Sequence, residues 1–420
     1  MTITHLTDAT LIDGTGRDPV PRSWLRIENG RIAAVGAGAA PRGAADEVID
    51  CAGRTVMPGL IDAHAHLGAV DHLDRLLDGP RAVYAAAVLR EIRSTLEQGF
   101  TTIRDAGYTD AGFRLAIEGG QVPGPRLLVS NGPLSQTGGH SDLRRGHERE
   151  PAVMFDGLVW TGVVADGVER VRWAAREVLR AGADQVKVMA SGGCASHGDD
   201  VTDTQFTREE LAAIVHEAGA RGRPVIAHAY NPEAIANAVE AGVRSIEHGN
   251  LMDEASAALM AERGTYLVPT IATFELLSAD GLAVGMTQTQ VDQINTVLDS
   301  AFTSLRMAMD AGVRIGSGSD LLGRHQPRKA LELELQARVM GPLEAIRSAT
   351  AVNAGLIGRG HDLGTIGEGM IADLLLVDGS PAEDITVLQK KEAVHAVFQS
   401  GRRTVDRRPE RTGAPAEGTI

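Results

Sequence analysis

The sequence predicts an α/β protein in which a TIM (β/α)8 barrel, residues 57–367, is joined to a small β-sandwich formed by residues 1–56 and 368–420. Three observations predict this architecture. Short apolar runs alternate with helical stretches through the middle of the chain, glycines recur where those stretches end, and strand-forming segments joined by turns stand at both ends. A doubly wound open sheet is the alternative that the same alternation allows.

Strand and turn signals fill the first 56 residues. Strand-forming runs occupy 24–27 and 32–35, and Asn29-Gly30 between them is a hairpin turn signal. Two similar runs lie near the end of the chain, at 372–378 and 393–398. We therefore expect the two ends to pair into one sheet module.

Repeating strand–helix units occupy the segment between these ends. Four helical stretches close with a glycine, which takes the left-handed conformation that ends a helix, and a short apolar run follows each one. These glycines are Gly99, Gly182, Gly242 and Gly312. Further runs at 61–66, 126–129, 225–228 and 266–269 bring the total to about eight units, the number in a TIM barrel. Catalytic residues of such barrels lie at the carboxyl ends of the strands.

The composition excludes several classes of partner. The formal net charge of −14 opposes binding to nucleic acid and to anionic membranes, and 43% hydrophobic residues is typical of a globular protein. Cys51 and Cys194 are the only cysteines, so no disulfide framework is expected. Neither an apolar run of the roughly 18 residues of a membrane span nor a signal peptide is recognisable. We expect a cytoplasmic protein.

Two histidines and a lysine stand where the barrel prediction places chemistry. His64 and His66 close the first apolar run, and alternate residues of a strand point to one side, so both imidazoles can face one metal ion. Lys187 lies between Val186 and Val188 in the apparent fourth strand. Burial lowers the pKa of such an amine, and a neutral amine can add CO2 to give a carbamate that bridges two cations. Pairing with a carboxylate, or a reach to solvent, is the alternative for this lysine.

Three more metal-competent side chains close later strands. His228 and His248 end the apparent fifth and sixth strands, and Asp320 ends the eighth. Taken singly, each is explained as a packed histidine or as a carboxylate that caps a helix. Six such groups at the carboxyl ends of predicted barrel strands instead indicate one metal centre.

Several segments resemble the metal motifs of the amidohydrolase superfamily, and the resemblance covers essentially the whole chain. The segments are 58–66 (PGLIDAHAH), 187–193 (KVMASGG), 227–230 (AHAY), 246–249 (IEHG) and 318–320 (GSD). Residues 364–374 (GTIGEGMIADL) are similar to the point where members of this superfamily return to a small β-sandwich.

The resemblance implies a centre of two divalent cations bridged by N6-carboxylated Lys187. Zinc is the expected metal, and manganese or cobalt is the alternative because the ligand set alone selects weakly. It assigns His64, His66 and Asp320 to the more buried cation, and His228 and His248 to the other.

The resemblance also implies a mechanism. Metal-activated water attacks the amide carbonyl, and Asp320 accepts the water proton and then delivers it to the leaving amine. His140, in 137–140 (TGGH), and Tyr230 donate hydrogen bonds to the carbonyl oxygen. A loop cap for His140 and a packed phenol for Tyr230 are the alternatives.

Two long segments, 132–160 and 191–206, follow predicted strands and should overhang the active face. They are similar to the branch of the superfamily that includes prolidase-type dipeptidases, carboxypeptidase-like acyl-amino-acid hydrolases and ochratoxin-degrading amidases. This branch implies cleavage of an N-acyl amino acid or a dipeptide, whose leaving residue carries a free carboxylate. Candidates to bind that carboxylate are Arg144, Arg145, Arg324 and His325.

Two other functions stay open on the sequence. A cyclic-amide hydrolase or a deaminase uses the same scaffold, although deaminases of this fold commonly use one metal and do not need the bridging lysine. The second alternative is a catalytically silent relative that acts as an assembly or binding protein, and the complete set of six ligands argues against it. The resemblance also suggests a homo-oligomer.

Overall fold

Strands predominate at both ends of the chain, and strands alternate with helices between them. The computed structural model describes residues 2–41, 45–71, 79–144, 146–148, 155–156, 158–196 and 198–407. The strands are β1 (Ile3–Leu11), β2 (Val20–Glu28), β3 (Arg31–Ala37), β4 (Glu47–Asp50), β5 (Thr55–Pro58), β6 (Leu60–Ala65), β7 (Phe100–Asp105), β8 (Arg126–Val129), β9 (Leu134–Ser135), β10 (Phe155–Asp156), β11 (Val159–Trp160), β12 (Val163–Val164), β13 (Val186–Met189), β14 (Val225–Ala229), β15 (Ser245–His248), β16 (Tyr266–Val268), β17 (Arg314–Ile315), β18 (Leu374–Val377), β19 (Val394–Gln399) and β20 (Arg402–Asp406).

The α-helices lie mainly between the parallel strands. They are α1 (Arg81–Glu97), α2 (Ala111–Glu118), α3 (Val168–Arg180), α4 (Arg208–Gly219), α5 (Pro232–Ala241), α6 (Glu254–Arg263), α7 (Ile271–Asp280), α8 (Gln288–Asp310), α9 (Leu331–Met340), α10 (Pro342–Arg347) and α11 (Asn353–Leu356). Short 3-10 segments span Gly281–Val284, Gly323–Arg328, Ile385–Gln389 and Lys391–Ala393, and a π-helical turn spans Ser348–Val352. Within the described residues, no helix combines the length and the apolar character that crossing a bilayer requires.

One mixed sheet takes strands from both ends of the chain. Its order is β20-β19-β18-β5-β1-β2-β3, with β4 beside β1. The connection between the ends is the antiparallel pair of β5 and β18, in which Met57 faces Leu375 and Val56 faces Leu376. In β2, Leu25 and Ile27 are buried between half-buried neighbours, as the period of two in a strand requires.

Parallel strands form two further sheets. One has the order β6-β7-β8 and the other the order β12-β9-β13-β14-β15-β16-β17. Every residue of β13, β14 and β15 is buried, which is typical of parallel strands covered on both faces. Backbone bonds join strands of the three-stranded sheet to residues next to the other sheet: Ala63 of β6 donates to Ser317 O at 2.9 Å, and Asp184 donates to Val129 O of β8 at 2.7 Å.

Local sequence signals explain where the helices between these strands begin and end. A capping box of Thr207 and Glu210 opens α4, and the Asn231 side chain accepts a hydrogen bond from Ala234 N at the start of α5. The predicted left-handed glycines that end helical stretches are confirmed. Their φ values are 96° for Gly99, 99° for Gly182, 97° for Gly242 and 81° for Gly312.

One strand limit differs from the sequence-based expectation. β17 ends at Ile315, so Asp320 lies in the segment after the strand and not at its end. The reason is that Ser317 N–H donates to the Asn353 side chain at 3.1 Å instead of to β16. Its C=O accepts a bond from the same side chain at 2.7 Å as well as the one from Ala63.

Candidate metal centre

His64 and His66 lie at the carboxyl end of β6, where Asp320 meets them. Asp320 Oδ1 is 3.1 Å from His66 Nε2 and 3.5 Å from His64 Nε2. One ligand atom from each of the three side chains lies within 4.8 Å of the others. The backbone of Asp320 has a φ of +53°, a left-handed conformation that few non-glycine residues adopt. Burial raises the pKa of Asp320, but His64 and His66 outweigh it and lower that pKa below its ordinary value, so the carboxylate is ionised.

Asp62 ties together the two segments that carry these ligands. Its Oδ1 accepts hydrogen bonds from His64 N at 3.1 Å and from Ser319 N at 3.0 Å, and its Oδ2 accepts one from Ser319 Oγ at 2.6 Å. No role was predicted for this aspartate, although it stands inside the motif at 58–66. A carboxylate between the apolar residues Ile61 and Ala63 is the signal that identifies it, because such a group is buried only with hydrogen-bond partners.

Lys187 is buried in β13, with its Nζ 3.4 Å from His64 Nε2. Burial lowers the pKa of its amine to about 8, although the negative charges of Glu247 and Asp320 act to raise that pKa. A substantial fraction of the amine is therefore neutral near pH 7 to 8, which is the form that can add CO2.

His228 and His248 stand at the ends of β14 and β15. Their ring centroids are 4.5 Å apart, and the ring of His248 lies 5.1 Å from that of His64. His248 Nδ1 is 3.9 Å from Asp320 Oδ2. The structure thus brings all six residues of the predicted ligand set to one place.

The hydrogen bonds of the four histidine rings indicate whether these residues suit a metal centre. In all four rings one nitrogen bonds to a protein oxygen, so the other is left for a cation, an arrangement that fixes ring orientation in metal sites. The bonds join His64 Nδ1 to Glu247 Oε2 (2.7 Å), His66 Nδ1 to Gly107 O (3.2 Å), His228 Nε2 to Gly192 O (3.0 Å) and His248 Nδ1 to Thr270 Oγ1 (2.7 Å). Burial lowers the pKa of His64, His228 and His248 well below its usual value, so these rings are neutral, the form that binds metal. The donor set fits divalent cations.

A buried ion pair stands behind His64. Both Glu247 carboxylate oxygens accept hydrogen bonds from Arg104 Nη2 at 2.9 Å, and Arg104 Nη1 donates to Ser245 Oγ at 3.0 Å. All three residues are buried. Neither Arg104 nor Glu247 was assigned a role from the sequence, although each is a charged residue in a strand whose residues are all buried.

His140 and Tyr230 lie on the His228 side of the centre. The ring of His140 stacks on that of His228, with centroids 4.5 Å apart, and its Nδ1 is 2.9 Å from Ser196 Oγ. The ring of Tyr230 meets His228 edge-on at 4.7 Å. Cys194 Sγ donates to Tyr230 Oη at 3.7 Å, and burial raises the pKa of the phenol well above its ordinary value.

The predicted carboxylate-binding groups already have acidic partners. Arg144 bonds to Asp142 at 2.5 and 2.7 Å. Arg324 and His325 bond to the same oxygen of Asp280, at 2.5 and 3.0 Å. Arg145 lies outside the described residues. Their role as substrate ligands stays a prediction.

Comparisons with known proteins agree with the metal chemistry that this geometry indicates. The model of the amidohydrolase family matches residues 55–404. The ochratoxinase of Aspergillus niger is 35% identical over 362 residues, which cover 83% of this chain and 75% of that protein. A prolidase complexed with N-methylphosphonate-L-proline is 41% identical, with a TM-score of 0.92 over 97% of this chain and 100% of that chain. A Xaa-Pro dipeptidase with bound methionine in the active site is 31% identical, with a TM-score of 0.85 over 96% and 99% of the two chains.

Proposed function

The chain belongs to the amidohydrolase family, and from this membership we propose that it hydrolyses the amide bond of an N-acyl amino acid or a dipeptide. It is a hydrolase that acts on carbon–nitrogen bonds. The observation that carries the proposal is the convergence of six metal-competent side chains around Asp320. The names of the similar proteins support the substrate class, because they include an ochratoxinase, a prolidase and a Xaa-Pro dipeptidase.

Two divalent cations, for which we propose zinc, suit this set of nitrogen and oxygen donors without thiolates. One would be held by His64, His66 and Asp320, the other by His228 and His248, with carboxylated Lys187 between them. When bound, such cations lower the pKa of water and polarise a carbonyl group.

Asp320 is the proton carrier in this proposal. Its ionised carboxylate accepts the proton of the attacking water at one oxygen and delivers that proton to the leaving nitrogen. Tyr230 Oη accepts a hydrogen bond from Cys194, so its own hydrogen is free to be donated to the carbonyl oxygen of the substrate. His140 acts at the same oxygen through Nε2, because its Nδ1 lies 2.9 Å from Ser196 Oγ. In the neutral ring, Nε2 carries a proton only when Nδ1 accepts the Ser196 hydroxyl hydrogen, so in this proposal that hydroxyl turns from Asp199 to His140.

The leaving residue of such a substrate carries a carboxylate. We keep Arg144, Arg324 and His325 as candidates to bind it. An arginine that already bonds to one carboxylate has further N–H donors for a second. The acidic partners Asp142 and Asp280 orient these side chains.

For the architecture, we infer that the parallel strands close into a (β/α)8 barrel over residues 57–367. The bonds from Ala63 to Ser317 and from Asp184 to Val129 support closure, because a doubly wound sheet has two open edges instead. We propose residues 1–56 with 368–420 as the β-sandwich domain, which the pairing of β5 with β18 supports. A homo-oligomer remains a prediction that light scattering tests.

The test of the proposed function is a hydrolysis screen. Metal-free protein is reloaded with Zn2+ and bicarbonate and incubated with dipeptides, including Xaa-Pro compounds, and with N-acyl amino acids, including aromatic acyl-phenylalanines. We expect at least one compound to be cleaved with a kcat/KM of about 10^4 M−1 s−1 or more. Asp320→Asn is the matched control and should lose about 10^2- to 10^4-fold. Metal-loaded protein that cleaves no compound of the panel would refute the proposal.

A glycine in the 191–206 segment gives a second prediction. A Cβ on Gly193 would lie 2.0 Å from two ring atoms of His140, so Gly193→Ala must displace that ring. We expect kcat to fall about 10^2-fold, the usual effect of losing one donor to the carbonyl oxygen, with little change in Tm. Gly198→Ala in the same segment is the control, because its Cβ would meet only Gly138 O, at 3.8 Å. Equal activity of the two variants would remove His140 from the mechanism.

A further inference from the structure

Tyr108 follows β7 and lies on the His66 side of the centre. Its ring meets the His66 ring edge-on, with centroids 5.4 Å apart and planes at 65°. The side chain is half-buried, and among the described residues none forms a hydrogen bond with its Oη. Burial and the charge of Asp320 raise the pKa of this phenol to about 12, so it keeps its proton and is a hydrogen-bond donor. No motif described above includes this residue.

The backbone of Tyr108 is held in a strained conformation. Its φ is +71°, which costs free energy for a bulky residue and persists only where the surroundings enforce it. Three contacts do so: Tyr108 N donates to Asn131 O at 3.1 Å, Tyr84 Oη donates to Tyr108 O at 2.9 Å, and Gly68 packs so closely that a Cβ there would lie 2.1 Å from Tyr108 O. Strain of this kind clusters at functional sites.

The neighbours of Tyr108 are tied to the segment that carries His66. Asp105 accepts hydrogen bonds from Gly107 N (3.0 Å), from Thr109 Oγ1 (2.7 Å) and from Leu67 N (2.7 Å). Gly107 O in turn bonds to His66 Nδ1. These hydrogen bonds join the backbone on either side of Tyr108 to the segment that carries His66, and the edge-on ring contact places the phenol beside that candidate metal ligand.

We propose that Tyr108 Oη donates a hydrogen bond to the carboxylate of the leaving amino acid, an inference that rests on the proposed function. Tyr230 and His140 stand on the His228 side and bind the carbonyl oxygen in that function. Asp320 lies between the two sides and delivers its proton to the leaving nitrogen. The leaving residue then extends toward His66, where Tyr108 offers a donor without a protein partner among the described residues.

The test compares ligands with and without the carboxylate. Tyr108→Phe keeps the ring and removes only the donor. On an N-acyl-phenylalanine substrate we expect KM to rise about 10- to 100-fold, the usual effect of losing a hydrogen bond to a charged group, with kcat changed less than about threefold. Calorimetry on zinc-loaded protein should show the same loss in affinity for free phenylalanine. Affinity for phenethylamine, which lacks the carboxylate, should not change.

Tyr266→Phe controls for removal of a phenol hydroxyl, because Tyr266 lies in β16 and bonds to Arg314. The inference is overturned if Tyr108→Phe weakens the binding of phenylalanine and of phenethylamine equally, or if it weakens the binding of neither. It is also overturned if wild-type protein does not bind phenylalanine. The binding arm separates the two proposals. If the protein cleaves no amide but binds phenylalanine in a way that depends on Tyr108, the proposed function is refuted and the carboxylate site at Tyr108 is supported.

Discussion

Replacing Lys187 with alanine is expected to lower kcat for amide hydrolysis at least about 10^3-fold and to reduce the bound zinc from two ions per chain to about one. The Nζ atom lies 3.4 Å from His64 Nε2 in a buried strand, and burial lowers the pKa of the amine to about 8. In the proposed centre, a carbamate on this atom would supply two oxygen ligands that alanine lacks. Steady-state kinetics and elemental analysis of the purified variant measure both effects.

Chemical rescue is the control for this prediction. Lys187→Ala leaves a space in the strand that a short carboxylic acid such as acetate or propionate can fill, and activity should rise when the acid is added with Zn2+. The result also decides between functions. Full activity with one metal ion would favour the deaminase alternative, because deaminases of this fold do not need the bridging lysine.

The six metal-competent residues could be predicted from the sequence because strand geometry is periodic. His64, Lys187, His228 and His248 each lie in a strand that short apolar runs identify, and parallel strands present their carboxyl ends on the same side of a sheet. Asp320 was identified as well, both as the expected end of the eighth strand and through its motif, although the strand itself ends five residues earlier, at Ile315.

The partners of these residues could not be predicted in the same way. Arg104 and Glu247 are 143 positions apart, and their contact depends on the register between strands of two different sheets. Tyr108 was missed because its position is set by a left-handed backbone, for which a tyrosine gives no sequence signal. Long-range pairing and local strain are properties of the folded chain rather than of a sequence window.

Replacement of Glu247 is expected to lower both the stability of the protein and its affinity for zinc. Glu247→Ala is expected to lower the free energy of unfolding by about 3–5 kcal/mol, because it leaves the buried Arg104 guanidinium without its carboxylate. It also removes the acceptor of His64 Nδ1, so the ring is free to rotate and zinc affinity should fall about 10- to 100-fold. Urea denaturation and metal titration measure the two losses.

A double variant separates the two consequences. In Arg104→Met/Glu247→Leu no buried charge is left unpaired, so stability should return to within about 1–2 kcal/mol of the wild type, since apolar residues of similar volume replace such pairs at little cost. Leucine still cannot accept the His64 proton, and zinc affinity should stay low. If the double variant regains both stability and zinc affinity, the Glu247 carboxylate does not orient His64. If it regains neither, the ion pair holds the strands themselves in register, and its effect on His64 is indirect.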